Sequence, residues 1–596
     1  MLARVLITTA DERTWPKDKN EPVLFLGEWC LLYSRRHVWQ GMDYEVVTYH
    51  WDDRKKLLLD YQYLQCLHEE LLEDLSVQLN HMHDTDHTLH YWRILVGVWL
   101  GYFVQMLYDR WFMIKYAIES YNISKCYILD QNEYFSVPND MEQFGKIFVG
   151  DSWNEVIYAQ LLKAYWANNI RLKVINLSNK KPVYNLEKTS SKQYIKRAIS
   201  NFVAKYHGIL PKNDEFFLIS TGFSLEVNLK IQLQLHQIPK LWHKQETPKS
   251  KINKERRKWS LLEDEKKEQF NLVARRFISQ HLPVVYLEGY KSLVLLTQKL
   301  PWPVRPKLIY TSIAYSVDDV FKCWAAEKKP LLVINQHGGN FGTNTFSFEE
   351  DHQIKIADKW LSWGWSDPLG VKILPIGALS ISSKNVKHNP KGGVLMVEMA
   401  LPRYSYYLYS VPVSRQWLDY FNDQQRFISL LPRYLQNFFL VRLHPKDYGW
   451  DQFSRYNDAM PDIRIDDGQK KIVKLIEQCR IYISTYNATT FLEVLGWNIP
   501  VIIFWNPLHW ELNEDAIPFF EVLESVGIFH KTPDSAAQKL IEVWDDVDAW
   551  WKSEEVQSAR EEFSLKYVQI VNNPASKLVN ILQNVANDNK ISFVDK

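Results

Sequence analysis

The sequence predicts an α/β protein of two parallel, doubly wound units facing a cleft, with a helical elaboration near the N-terminus. Three observations predict it. Short apolar runs recur along the chain with helical spacers between most of them, as parallel strands and their crossover helices require. Several runs break abruptly into polar residues, where a strand would leave its sheet and where open α/β sheets hold ligands. One such break, the hydroxyl-rich stretch 484–490, leads into a helical pattern with apolar Phe491, Leu492 and Leu495, then into the buried run 499–505.

The first expected strand is residues 3–9, ending in a polar loop at 10–15. From about residue 53 to 118 Leu, Glu and aromatic residues predict helix. Strand-like runs follow at 126–130, 146–150, 172–175 and 216–220. The charged stretch 243–269, containing Lys254-Glu255-Arg256-Arg257-Lys258, reads as a solvated surface segment. The sharper alternative is a patch meeting anionic lipid or acceptor. Strands resume at 283–287, 307–310 and 331–335. One N-terminal unit is therefore expected over 1–371, its helical insertion at about 53–118. A second α/β unit is expected over 372–574, with strands near 439–443, 480–484 and 499–505, and residues 575–596 form a C-terminal helix and tail.

Composition narrows the function. At 596 residues the chain can bury more than one core, and 46% hydrophobic residues argue against disorder. Lys+Arg 71 against Asp+Glu 70 leaves a net charge of +1, which gives no global field for nucleic acid. The five cysteines are scattered, with neither zinc-ligand nor disulfide-framework spacing, as expected in a reducing cytoplasm. Met1-Leu2-Ala3-Arg4 runs straight into an apolar strand without a signal-peptide core, so a cytoplasmic location is expected. The apolar stretch 94–108 is short of the roughly 20 residues a spanning helix needs and reads as a buried helix. The 24 Trp and 32 Tyr leave a peripheral membrane contact open.

Two groups of strand-end loops can carry chemistry. In Asn335-Gln336-His337-Gly338-Gly339-Asn340-Phe341-Gly342 the glycines allow a ligand to approach the backbone, and His337 could act as base or phosphate donor. A tight turn with a structural histidine explains the same residues. Glu349, Glu350 and Asp351 follow and read either as functional acids or as a solvated helix start. In the second group, His444-Pro445 ends one strand, and Ser484, Thr485, Thr489 and Thr490 surround the end of another. Hydroxyls and backbone N–H groups at a helix N-terminus favour a phosphate. His81-Met82-His83-Asp84-Thr85-Asp86-His87 imitates a metal cluster but reads as an exposed connection without ordered ligand spacing. No P-loop or strand-borne dinucleotide fingerprint is present.

On these and further residues the chain resembles transferases encoded in bacterial O-antigen and surface-carbohydrate clusters. The signatures are Thr8-Thr9 with Glu12 and Thr14-Trp15, Phe25-Leu26-Gly27-Glu28-Trp29, Tyr49-His50-Trp51-Asp52-Asp53-Arg54 and Tyr91-Trp92-Arg93-Ile94-Leu95. The last 220 or so residues, about one α/β domain, are more distantly similar to GT-B glycosyltransferases that use CMP-activated sugars. In those enzymes a His-Pro motif and a downstream Ser/Thr motif surround the cytidine monophosphate, and His444-Pro445 and Ser484-Thr485 match in order. The Gln336-His337-Gly338 loop also looks like that of CDP-glycerol transferases. One departure concerns the acidic-acidic-Gly motif that carries the base of sialyltransferases. Here the only such tripeptide, Asp466-Asp467-Gly468, follows His-Pro instead of preceding it.

The resemblance implies two Rossmann-like domains and transfer of a nonulosonic acid or Kdo from a CMP-linked donor to a glycan or lipid-linked acceptor. Neither a cofactor nor a metal is expected, and nucleic acid is not an expected partner. The expected donor-binding residues are Arg442, His444, Pro445, Lys446, Ser484, Thr485, Thr489 and Thr490. The base is sought among His337, Glu28, Glu349 and Glu12, with His337 first. The alternatives are transfer from a UDP-sugar or CDP-glycerol, and a non-catalytic scaffold that binds nucleotide or glycan.

Overall fold

The computed structural model describes residues 2–130, 136–176, 215–242, 244–261 and 269–594. The fold is α/β with parallel sheets throughout. The first sheet contains β1 (Arg4–Ile7), β2 (Val23–Phe25), β3 (Tyr44–Val46), β4 (Ile123–Asp130) and β5 (Arg171–Asn176), in the order β3-β2-β1-β4-β5. The second contains β6 (Phe216–Ile219), β7 (Leu308–Thr311), β8 (Leu331–Asn335), β9 (Lys359–Ser362) and β10 (Ile373–Pro375), in sequence order across the sheet. The third contains β11 (Gly393–Val397), β12 (Phe439–Arg442), β13 (Arg464–Asp466), β14 (Cys479–Ser484), β15 (Val501–Phe504) and β16 (Phe529–His530). Its order, β13-β12-β11-β14-β15-β16, reverses between β11 and β14. Such a reversal opens a crevice at the carboxyl ends of the two strands.

The stretch 1–371, expected as one unit, thus holds two separate sheets. Buried apolar strands read alike whichever sheet they join, because membership is decided by long-range pairing. The expected boundary at 372 falls at β10, the edge strand of the second sheet, and the third sheet begins at Gly393. Residues 146–150 are not a strand. Asp140 accepts a hydrogen bond from the Gln143 N–H and starts the helix Met141–Ile147, which buries Met141, Phe144 and Ile147 on one face. The run after Pro283 forms a short 3-10 turn, Val284–Tyr286. Of the charged stretch, residues 243 and 262–268 lie outside the described residues.

The expected insertion is a hairpin of two long helices, Arg54–His83 and Leu89–Ser120. Asp53 caps the first through the Lys55 and Lys56 N–H groups, and Thr88 caps the second. Residues 94–108 lie inside the second helix and are buried, and no described helix is long and apolar enough to cross a membrane. A Cβ on Gly101 would lie 1.9 Å from the Phe348 ring, so only glycine lets this helix seat against the helix Phe348–Ile356 of the second unit. His83 and Tyr290 stack, and no group of three or more possible metal ligands occurs among the described residues. The C-terminal helix Pro574–Val594 is no loose tail. Its Ala575, Leu578 and Leu582 join a core with Phe216, Leu308 and Leu361 of the second sheet.

Candidate functional site

The second and third sheets meet at their C-terminal strand ends. The loop after β8 crosses to the third unit, where Thr345 N–H donates to the Glu511 carbonyl (3.2 Å) and Asn513 N–H to the Thr343 carbonyl (2.9 Å). Asn487, in the loop after β14, donates from Nδ2 to Thr343 Oγ1 (3.0 Å) and Asn344 Oδ1 (3.2 Å). Gly339 is the closest join. A Cβ there would lie 2.3 Å from the Ala488 carbonyl oxygen, so the glycine loop rests directly on the start of the helix Thr489–Gly496. That helix has no side-chain cap, and its first backbone N–H groups lack a capping oxygen.

A cavity of about 200 Å³ lies at this junction. It is lined by the glycine loop from His337 to Phe341, by Glu349, by Tyr407 and Tyr409, and by Asn487, Ala488, Thr489 and Trp510. Burial pushes the His337 imidazole down to about 4, opposed by a hydrogen bond with the Ser312 backbone, so the ring is neutral at pH 7. Its Nδ1 is buried without a partner. Burial moves Glu349 the opposite way, raising its carboxyl, while the hydrogen bond from the Tyr102 hydroxyl opposes the rise. Next to it Glu350 accepts the Gly342 N–H at 3.0 Å and is pushed up to about 8 by burial. Of the expected base candidates, His337 and Glu349 therefore share the cavity. Glu12 and Glu28 lie outside it. Glu12 pairs with Arg35 on the surface of the first unit (2.6 Å), and Glu28 lies 3.7 Å from Arg415, which also binds Asp52.

The expected donor-binding residues divide. Thr489 lines the cavity. Thr490 sits one residue further, its Oγ1 3.5 Å from the Tyr486 hydroxyl. Ser484 and Thr485 are buried and turned inward. Ser484 donates to the Tyr486 carbonyl (3.3 Å), and Thr485 donates to the Val397 carbonyl (2.9 Å) and shares a hydrogen bond with Tyr420 (2.6 Å). The Thr485 hydroxyl ties the end of β14 to β11, the Ser484 hydroxyl closes onto its own loop, and neither residue lines the cavity. The end of β12 lies beyond β11, so His444, Pro445 and Lys446 do not line the cavity. Arg442 links the two places, since its charge acts on both His444 and Tyr486. Its guanidinium is held by Asp466 and the Gly468 carbonyl, both at 2.8 Å. Asp466-Asp467-Gly468 is accordingly a turn that orients Arg442, with Gly468 at φ +83°. His444 places Nδ1 2.9 Å from the Lys446 carbonyl and stacks on Tyr448, and Lys446 covers the same Tyr448 ring at 4.5 Å.

Sequence reasoning missed the tyrosine wall and Glu398. The run Tyr404, Tyr406, Tyr407 and Tyr409 could have signalled the first, because so many hydroxylated rings in one stretch imply a shared polar–aromatic surface. Glu398, at the end of central strand β11, is pushed up to about 8 by burial and accepts a hydrogen bond from Tyr456.

The second and third of three parallel sheets thus meet at a cavity lined by residues of both. A family model described as LIC12162 family transferase matches residues 4–582, and the chain belongs to that family. It is a transferase. No curated protein matches the chain. Among solved structures, it is similar to α,α-trehalose 6-phosphate synthase from Burkholderia multivorans, at 11% identity over 53% of this chain and 79% of that one, with a TM-score of 0.31. MurG from Acinetobacter baumannii matches at 11% identity over 63% of this chain and 100% of that one, TM-score 0.31. A variant of the wall teichoic acid polymerase TagF matches at 9% identity over 67% and 97%, TM-score 0.28.

Proposed function

We propose that this transferase is a GT-B glycosyltransferase that moves a nonulosonic acid or Kdo-type sugar from a CMP-activated donor to a glycan acceptor in surface-polysaccharide assembly. The observation that carries the reading is the junction itself. The uncapped N-terminus of the helix Thr489–Gly496 shares one cavity with His337 and Glu349, which come from the opposite lobe. The helix end offers backbone N–H groups and a partial positive charge to the leaving phosphate, where negative charge grows in the transition state. Arg442 adds positive potential on the same face of the sheet, and His444, uncharged in the free protein, gains charge when a phosphate binds beside it. An acceptor hydroxyl needs a base to take its proton as the new bond forms, and a base works best when its pKa lies near the operating pH. Burial raises the Glu349 carboxyl, which takes the proton, while the neutral His337 ring orients the hydroxyl through its open Nδ1.

The test is a thermal-shift series with CMP, CDP, UDP, GDP and dTDP, followed by assay of CMP release from CMP-sugars with an acceptor. A ligand that binds only the native state raises its melting temperature. CMP should stabilise most. A clear preference for UDP would move the donor to a UDP-sugar, and binding without turnover would make the chain a scaffold.

A further inference from the structure

A second cavity, of about 310 Å³, opens beside the cleft at the C-terminal ends of β15 and β16, and Trp510 lines both. Its size falls at the lower end of small-molecule pockets, roughly 300–1,000 Å³. Trp505, Trp510, Phe520 and Phe529 wall it, with the Trp505 ring centroid 4.7 Å from Phe529 and 5.4 Å from Phe520. Both tryptophans are only 2% exposed, yet among the described residues neither indole N–H has a hydrogen-bond partner. Neither nitrogen is among the fully buried unpartnered atoms, so both N–H groups reach open space. On the rim, Glu521 is exposed and carries no ion pair among the described residues. Glu511 is engaged by Arg54, and Lys531, the one cation of the lining, pairs with Glu524 at 2.6 Å.

We propose that this cavity is a saccharide subsite, which seats a neutral ring of the acceptor glycan beside the transfer cleft. The inference rests on the glycosyl-transfer reading of that cleft. A pyranose ring has an apolar C–H face and a rim of hydroxyls. The face lies against the aromatic walls, hydroxyl oxygens accept from the two free indole N–H groups, and a hydroxyl donates to Glu521. No free cation is left for a phosphate or an acidic sugar, whose charge would instead face the Glu521 carboxylate. An acyl chain would fill the space but leave both N–H groups unpaired, which is costly.

The full chain is titrated with methyl hexosides and N-acetylhexosamines by saturation-transfer NMR and tryptophan fluorescence, with CMP and octanol as comparison ligands. Saturable hexoside binding is expected, weakened roughly fivefold or more in Trp505→Phe and in Glu521→Ala, as losing one hydrogen bond does. CMP affinity should stay the same in both variants. Glu521 is exposed, so its replacement leaves the core intact. No saturation transfer to any hexoside, binding indifferent to both variants, or preferential uptake of octanol overturns the subsite. Hexoside binding here with no nucleotide binding would sink the transfer reading and keep the subsite. Nucleotide turnover without hexoside binding would do the reverse.

Discussion

Glu349 and His337 share one cavity, but burial drives their proton affinities in opposite directions. This divergence assigns them different tasks. Glu349→Gln should lower turnover by roughly 10²–10⁴-fold, the usual contribution of general acid–base catalysis. CMP affinity should stay nearly unchanged. His337→Ala should cost less in rate and act mainly on acceptor KM. Near-normal turnover in both variants would leave the donor phosphate as the proton acceptor. His444 offers a second residue-scale test. Burial lowers its pKa in the free protein, and its Nδ1 faces both the Lys446 carbonyl (2.9 Å) and the Lys446 N–H (3.2 Å), which leaves Nε2 to meet a phosphate. Binding a phosphate therefore raises the His444 pKa, and nucleotide affinity should weaken as pH rises from about 5 to about 8. His444→Ala should flatten that dependence and lose roughly 1.5–3 kcal/mol of binding at the acid end. Isothermal titration across the range decides it.

At the scale of elements, the site depends on a loop touching a helix end. Gly339→Ala would put a methyl group 2.3 Å from the Ala488 carbonyl, and the loop must move away. The expected cost is roughly 1–3 kcal/mol of stability, as for overpacking elsewhere. The loss of the nucleotide-induced melting shift should be larger than in a control of equal stability loss. A variant that keeps the full shift would show that the glycine loop and the helix act separately. The hydroxyl-rich loop carries a related lesson. Ser484 and Thr485 end a strand where ligand groups are expected, but Thr485 braces β14 against β11 and Ser484 bonds the Tyr486 carbonyl of its own loop.

In the whole molecule, the first unit straddles the other two. Its helical hairpin seats on the second unit through Gly101, and Arg54 reaches the third, where it binds Glu511 and Gln416. Arg110 lies in a buried network with Asp109, Asn154 and the Ser405 carbonyl, and His50 closes it on Asp109 at 3.0 Å. Burial opposes ionisation of Asp109, but His50 and Arg110 outweigh it and its pKa falls; burial lowers His50 as well. A group with a lowered folded pKa stabilises above its unfolded pKa and loses that stability on acidification. Melting temperature should therefore decline as pH falls below about 6.5, the unfolded value for His. Asp109→Asn leaves Arg110 buried without its charge partner and should cost roughly 3–5 kcal/mol near neutral pH. Its melting curve should also be flatter below about pH 4, where the carboxylate of the native protein loses its stabilisation. An unchanged melting temperature would mean that the network holds nothing together.

Local signals alone determined much of this protein. The apolar runs at 3–9, 216–220, 307–310, 331–335, 480–484 and 499–505 match observed strands, because a buried parallel strand needs only a short apolar stretch between breaks. The helical hairpin was legible from its length, and the glycine loop from three glycines after a strand. Tertiary structure decided the rest. Strand runs carry no label for their sheet, so the division of the first 375 residues into two sheets depends on pairing between distant segments. Hydroxyl direction is likewise not written in sequence, since Ser484 and Thr485 could face a ligand or the neighbouring strand. In the sequence His337 ranked first for its glycine neighbours, and nothing separated Glu12, Glu28 and Glu349 as strand-end groups. Only the packing of second lobe on third placed His337 and Glu349 in the cavity and left Glu12 and Glu28 outside it, because convergence across a cleft is a property of how domains dock.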